Sequence, residues 1–150
     1  MKLTKKLVRR FLSENRLLTV ATHGSHPWIA CVYYGFDDDL TIYFISDPTT
    51  MHGKHIGKNE KVAIAIADSN QKPESKKKGV QLYGLAELIK TETETRKAIK
   101  LWRENMNMTT EQPNYESVKG RMYKITPKKV KYFNQALFEV EDGKEPILEL

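Results

Sequence analysis

One cysteine in 150 residues, Cys31, excludes an internal disulfide, and its place inside an apolar strand suits a thiol packed as a small hydrophobe. Nucleophilic catalysis there would need a neighbouring base and an electropositive setting that such a strand does not supply. Long hydrophobic runs are missing too: none reaches the roughly 18 residues read as a membrane-spanning helix. The start, MKLTKKLVRRFL, lacks the apolar stretch and small-residue cleavage site of an export signal. The expectation is a cytoplasmic protein with no membrane partner. Histidine is scarce and split between two turns, His23 with His26 and His52 with His55. A structural zinc site wants four ligands and a catalytic one three from the protein, so no metal is expected. The net charge of +6 favours anionic partners but is scattered over Lys5, Lys6, Arg9 and Arg10, then Lys76 to Lys78, then Lys128, Lys129 and Lys131. No nucleic-acid-reading module accompanies it, so nucleic acid is not an expected partner.

What is present is the composition of one soluble domain, 39% hydrophobic and 29% charged. A chain of this length hides about 70% of its unfolded surface on folding. Residues 3–14 carry Leu3, Leu7, Val8, Phe11 and Leu12 at helical spacing between basic residues, which predicts an amphipathic helix. LLTVAT at 17–22, the turn HGSHP and a strand from Trp28 to Phe36 predict a hairpin. The second strand is apolar at nearly every position, which argues for burial on both faces, as in a barrel or at a subunit contact. LTIYFIS returns as a third strand, and Asp47, Pro48, Thr49 and Thr50 then open a short helix to about Lys58. KVAIAIA is a strand, residues 68–79 a mobile loop, and VQLYGLAELI a long strand with a bulge or bend at Gly84. Thr91 to about Asn107 is the one long helix, with Thr91 and Glu94 in capping-box register. NMTTEQPNYES reads as a loop, and RMYKIT and KVKYFN as two last strands separated by Pro127. Residues 137–150 read as a loosely ordered acidic tail.

The chemistry concentrates between Ser46 and Lys54, where three hydroxyls (Ser46, Thr49, Thr50), two imidazole-bearing or charged neighbours (His52, Lys54) and a helix start adjoin aromatic strands. Three hydrogen bonds to a charged phosphate would contribute roughly 5 to 9 kcal/mol. That gross figure is comparable to the about 8.2 kcal/mol of a micromolar ligand before binding entropy, so a ring must be held as well. Alternatively the threonines simply cap a helix and the histidines are solvated. Trp28, Tyr33, Tyr34, Tyr43 and Phe44 are equally open to two readings, as core and interface aromatics or as the wall beside a planar ring.

The order of these elements, with WIACVYYGF, the Thr50 to His52 triplet TMH, the strand start Asn59 to Val62, GVQLYGLAEL and YKITPKKVKYFNQ, resembles the pyridoxamine 5′-phosphate oxidase-like FMN-binding split-barrel superfamily, and more closely a small bacterial branch of it. The resemblance implies a mainly β (α+β) fold: a six-stranded antiparallel split β-barrel with an N-terminal helix, a short helix after the third strand and one longer helix. It also implies a homodimer with FMN at the subunit interface and a small-molecule substrate for a flavin-dependent oxidoreductase. Ser46 and Thr50 look like hydroxyl contacts to the FMN phosphate, with Thr49, His52 and Lys54 beside them. Trp28, Ile29, Ala30, Cys31 and Val32 would line the isoalloxazine through backbone groups, and Gln81 would approach its polar edge. Met51 stands where the family often has a basic residue. No side chain is an obvious acid or base, so no catalytic residue is assigned. The alternatives are a non-catalytic module holding flavin, deazaflavin or haem, with His52 or His55 as haem ligand, and a structural dimer.

Overall fold

The computed structural model describes residues 1–68 and 70–150. The loop expected to be mobile at 68–79 includes Ser69, which lies outside the described residues.

Helix α1 (Lys5–Ser13) starts one residue after Thr4, whose Oγ1 accepts the Leu7 N–H at 3.3 Å, and it buries Val8, Phe11 and Leu12. Strands β1 (Leu17–His23) and β2 (Pro27–Phe36) form the expected hairpin, paired from Leu17↔Tyr33 to His23↔Pro27. Strand β3 (Ile42–Ile45) is shorter than its sequence suggests. Leu40 sits in the left-handed region at φ 68, inside the turn, and the Ser46 N–H, donating to the Arg121 carbonyl at 2.8 Å, adds one last rung in the β3–β6 register. Helix α2 (Met51–Lys58), strand β4 (Lys61–Ala67) and strand β5 (Lys78–Leu88) follow, then α3 (Glu92–Met106) with Thr91 as its N-cap.

The strands pair in the order β3-β2-β1-β4-β5 and then β6 (Met122–Asn134), and β6 pairs back to β3, so a six-stranded antiparallel barrel closes. The fold is mainly β with α+β character, as the sequence predicts. Two strands were expected either side of Pro127. They are one continuous strand, because the missing N–H of proline falls where the ladder slips: Tyr83 faces Lys129, Gly84 faces Pro127, and Lys128 is the extra residue. At Gly84 a Cβ would lie 2.6 Å from the Thr126 carbonyl oxygen, so the bend expected there needs glycine.

Two elements fall where the sequence predicts a loop and a loosely ordered tail. Helix α4 (Tyr115–Val118) lies in the predicted NMTTEQPNYES loop, held by a reciprocal capping box between Asn114 and Ser117. Strand β7 (Ile147–Glu149) extends the sheet along Lys129–Lys131 of β6. Two acids of this tail meet lysines of that strand, Glu149 with Lys129 at 3.4 Å and Glu145 with Lys131 at 3.5 Å.

Inward residues of β1, β4, β5 and β6, among them Val20, Ile64, Leu82 and Val130, fill the barrel. Phe44 and Tyr123 stack at 5.0 Å across β3 and β6, and α1 closes one end. A second cluster, Tyr43, Ile89, Ala98, Ile99, Val118 and Met122, seats α3 and α4. No helix among the described residues is long and apolar enough to cross a membrane. Helix α3 crosses β2 so closely that a Cβ at Gly35 would stand 2.5 Å from the Trp102 backbone. Gly35→Ala therefore forces helix and strand apart and is expected to cost about 1–3 kcal/mol, read as a lower urea midpoint at unchanged slope.

Candidate functional site

Strand β2 pairs with β1 on one side from Pro27 to Tyr33, but β3 covers its other side only at Tyr34, Gly35 and Phe36. Residues 27–33 thus present an open edge within the chain. In an antiparallel ladder, alternate residues direct both backbone groups to one neighbour. The Tyr34 N–H donates to the Arg16 carbonyl at 3.2 Å, which fixes the phase: Ile29, Cys31 and Tyr33 direct their backbone groups to the open side. The ends of this edge are capped. The Pro27 carbonyl accepts from His26 Nδ1 at 3.0 Å, and the Tyr33 carbonyl accepts from Trp102 Nε1 at 3.3 Å. Between the caps, the N–H and C=O of Ile29 and Cys31 have no partner among the described residues.

Of the two ways β2 was expected to be buried on both faces, the half-pairing rules out burial within the chain's own barrel. Ile29 is 66% exposed, Tyr33 53% and Trp28 44%, and the Cys31 thiol, expected as a packed hydrophobe, is exposed 3.6 Å from Thr19 Oγ1. Ile29, Cys31 and Tyr33 share the outer sheet face with Leu17, Thr19 and Ala21, while Trp28, Ala30 and Val32 lie on the opposite face of β2. Gln81 is on that outer face, in the row Cys31, Thr19, Ala65, Gln81. Three strand spacings separate it from Cys31, roughly 14 Å at about 4.8 Å each. One chain does not bring Gln81 to the β2 edge.

The turn from β3 into α2 borders the opening. Thr50 is its N-cap: the hydroxyl donates to the Asp47 carbonyl at 2.7 Å and accepts the Gly53 N–H at 3.2 Å. Thr49 Oγ1 donates to the Asp47 carboxylate at 2.7 Å, and the Thr49 N–H donates to the same oxygen at 2.8 Å. Both threonine hydrogens are therefore committed within the turn. Those bonds from Thr49, aided by the Arg121 charge 3.5 Å away, hold the Asp47 carboxyl below the ordinary carboxylate range. Gly53 is required here, since a Cβ would stand 2.9 Å from the Asp47 carbonyl oxygen and from Pro48. Ser46 Oγ lies 2.5 Å from His52 Nε2. Burial, with the neighbouring His55 second, pushes the His52 imidazole below its ordinary range, so it is neutral near pH 7. Lys54 is exposed and makes no ion pair among the described residues.

Although three apart on α2, the two histidines have separate partners. His55 is buried, with Nδ1 2.9 Å from Thr22 Oγ1, and its ring fills the space a Cβ on Gly24 would need. His26 stands 6.1 Å from His55 and 6.0 Å from Trp28, ring to ring. Among the described residues no group of three or more His, Cys, Asp or Glu could hold a metal ion. Sequence reasoning passes over Thr22, Arg121 and Trp102, and reads His26 and Asp47 only as turn residues. Only Asp47, two residues before Thr49, carries a local signal, the Asx turn.

A closed six-stranded barrel with one strand left half-paired and a short helix at the opening defines a split β-barrel. The family model described as pyridoxamine 5′-phosphate oxidase matches residues 4–134, and the chain belongs to that family. Solved structures of similar fold include a candidate 5-nitroimidazole antibiotic resistance protein from Bacteroides thetaiotaomicron, 15% identical, with 85% of this chain and 81% of that one covered and a TM-score of 0.73. A heme binding protein from Mycobacterium smegmatis is 17% identical over 99% of this chain, which spans 59% of that protein, at a TM-score of 0.74. A candidate pyridoxamine 5′-phosphate oxidase from Listeria innocua is 18% identical, with 86% and 97% covered and a TM-score of 0.66. At these identities the likeness is one of fold. No curated protein matches the chain.

The depressed pKa of His52 has a consequence for stability. Between its folded pKa and the higher unfolded value of about 6.5, the unfolded chain binds more protons, so stability rises with pH there. The contribution is complete above the unfolded value and is lost as pH falls through the folded one. Urea midpoints should decline on acidification below about pH 6.5, and His52→Gln should flatten that decline. Thr22→Val, which strands the buried His55 nitrogen, should cost about 1–3 kcal/mol by the same assay.

Proposed function

We propose that the protein is an FMN-binding homodimer and a flavin-dependent oxidoreductase acting on a small molecule, and that it works in the cytoplasm. The observation that carries this reading is the open β2 edge beside the β3–α2 turn: unpaired backbone donors and acceptors at Ile29 and Cys31, next to the first turn of a helix. A flavin ring has the matching kind of polar rim, and its phosphate suits helix-start amides. Trp28, Ile29, Ala30, Cys31 and Val32 would flank the ring. Ser46, the first-turn amides of α2 and Lys54 would hold the phosphate, with Thr49, Thr50 and His52 fixing the shape of the turn.

Bound there, FMN would supply hydride and electron transfer, the protein supplying position and hydrogen bonds. Gln81 would reach the ring from the partner copy, since its own chain holds it three strands away. A second copy would cover the outer apolar face of Leu17, Ile29, Tyr33 and Tyr83, each more than a third exposed. Met51 supplies no charge where the family often has a basic residue. Losing one charged contact of about 1.5–3 kcal/mol weakens binding roughly 10- to 150-fold. Haem fits less well: His55 is buried on Thr22 and Gly24, and His52 is engaged by Ser46.

Adding FMN to the purified protein should shift the flavin bands and quench flavin fluorescence, with Lys54→Ala weakening uptake more than about twofold. Ile29→Glu should convert the dimer to monomer in sedimentation and lose FMN with it. Failure to take up FMN, a Soret band after haem addition, or a preference for deazaflavin over FMN would each overturn the reading.

A further inference from the structure

A second concave surface lies apart from the barrel opening, lined by residues of α1 and α3. It is a groove of about 640 Å³ open to solvent, and it shares no residue with the site described above. Lys6, Arg9 and Arg10 project into it from α1, and Arg16 from the turn into β1. Asp38 and Glu104 are the facing carboxylates. Arg9 is paired with Asp38 at 3.3 Å and Arg10 with Glu14 at 3.7 Å, whereas Lys6 and Arg16 have no ion-pair partner among the described residues. The lining is not all charge. Phe36 and Leu101, both half-buried, give it an apolar part. Asn105 donates both amide hydrogens, to the Asn15 carbonyl at 3.1 Å and the Tyr34 carbonyl at 2.8 Å. It thereby ties α3 to the end of α1 and to β2, so the groove is held open by a fixed contact.

With Arg9 answered by Asp38 and Arg10 by Glu14, Lys6 and Arg16 against Glu104 leave a positive excess, and a cleft walled by protein focuses that field on whatever enters. The volume falls within the roughly 300–1,000 Å³ of small-molecule sites. An inorganic ion would leave Phe36 and Leu101 unused, and a neutral apolar ligand would leave Lys6 and Arg16 unanswered. We infer that the groove between α1 and α3 binds a small organic anion with an aromatic or short aliphatic body, its anionic group on Lys6 and Arg16 and its body against Phe36 and Leu101. This site is independent of the flavin reading.

The test is a titration of the ¹⁵N-labelled protein with 1-naphthoate, followed by amide shifts, with acetate as the same anionic group lacking the body. Saturable shifts are expected at residues 6–16, 36–38 and 101–107, with naphthoate at least about tenfold tighter than acetate, as a buried ring of that area would give. The double variant Lys6→Ala/Arg16→Ala should weaken naphthoate several-fold, and Lys129→Ala, on β6, should not. The inference is overturned by any of three results: no saturable shifts in those segments at millimolar naphthoate, acetate binding as tightly as naphthoate, or unchanged affinity in the double variant.

Discussion

The structure depends on where β3 stops. Three residues of β3 pair with β2 and four with β6, the Ser46 N–H adds a last bond to the Arg121 carbonyl, and Asp47 begins a new turn. Had the strand run four residues further in the same register, it would have faced β2 as far as Ile29 and closed the barrel wall. Because it stops, α2 is launched across the opening. Thr50 caps the helix, Gly53 lets its first turn press on Pro48, and His55 reaches back to Thr22 and Gly24 at the far end of β1. The split in the barrel is thus a local event in the chain, fixed at both ends by hydrogen bonds.

An exposed strand edge is ordinarily an aggregation hazard. Here His26 and Trp102 cap its two ends, which confines the unpaired groups to the middle of the edge. In a lone chain water satisfies these groups. If the adjoining apolar face is buried against another copy, the same groups lose water, and each left unpaired would cost about 1–3 kcal/mol. An interface over β2 therefore favours some inserted group with donors and acceptors along one rim. This links the apolar outer face and the open edge: covering the first creates the need that a planar polar ligand answers at the second.

What could be read from the residues was local. The Thr50 and Thr91 caps, the strand KVAIAIA and the bend at Gly84 each lie within a few positions of their cause, and each forms where its pattern places it. Helix α4 was legible in principle, since Asn114 and Ser117 stand at capping-box spacing, but the surrounding polar residues mask it. The half-pairing of β2 was not legible. An unbroken apolar run looks the same whether its second face is covered by its own barrel or left for another surface. Nor could spacing show that Gln81 sits three strands from Cys31, or that His55 would meet Thr22, because both follow from strand order and closure rather than from neighbours in the chain.

The turn before α2 also shows why residue type alone overstates an anion site. By composition, Ser46, Thr49, Thr50, His52 and Lys54 offer five donors to a phosphate. In the fold, the hydroxyl hydrogens of Thr49 and Thr50 point into the turn, and His52 is neutral. The Asp47 carboxylate already occupies part of the positive field at the helix start. Arg121 offsets that carboxylate, 3.5 Å from it, at the cost of its own availability. The charge left for an incoming phosphate therefore comes from Lys54 and from any rearrangement that frees Arg121 from Asp47. Affinity at this end is set less by the number of polar side chains than by which of them the turn has already engaged.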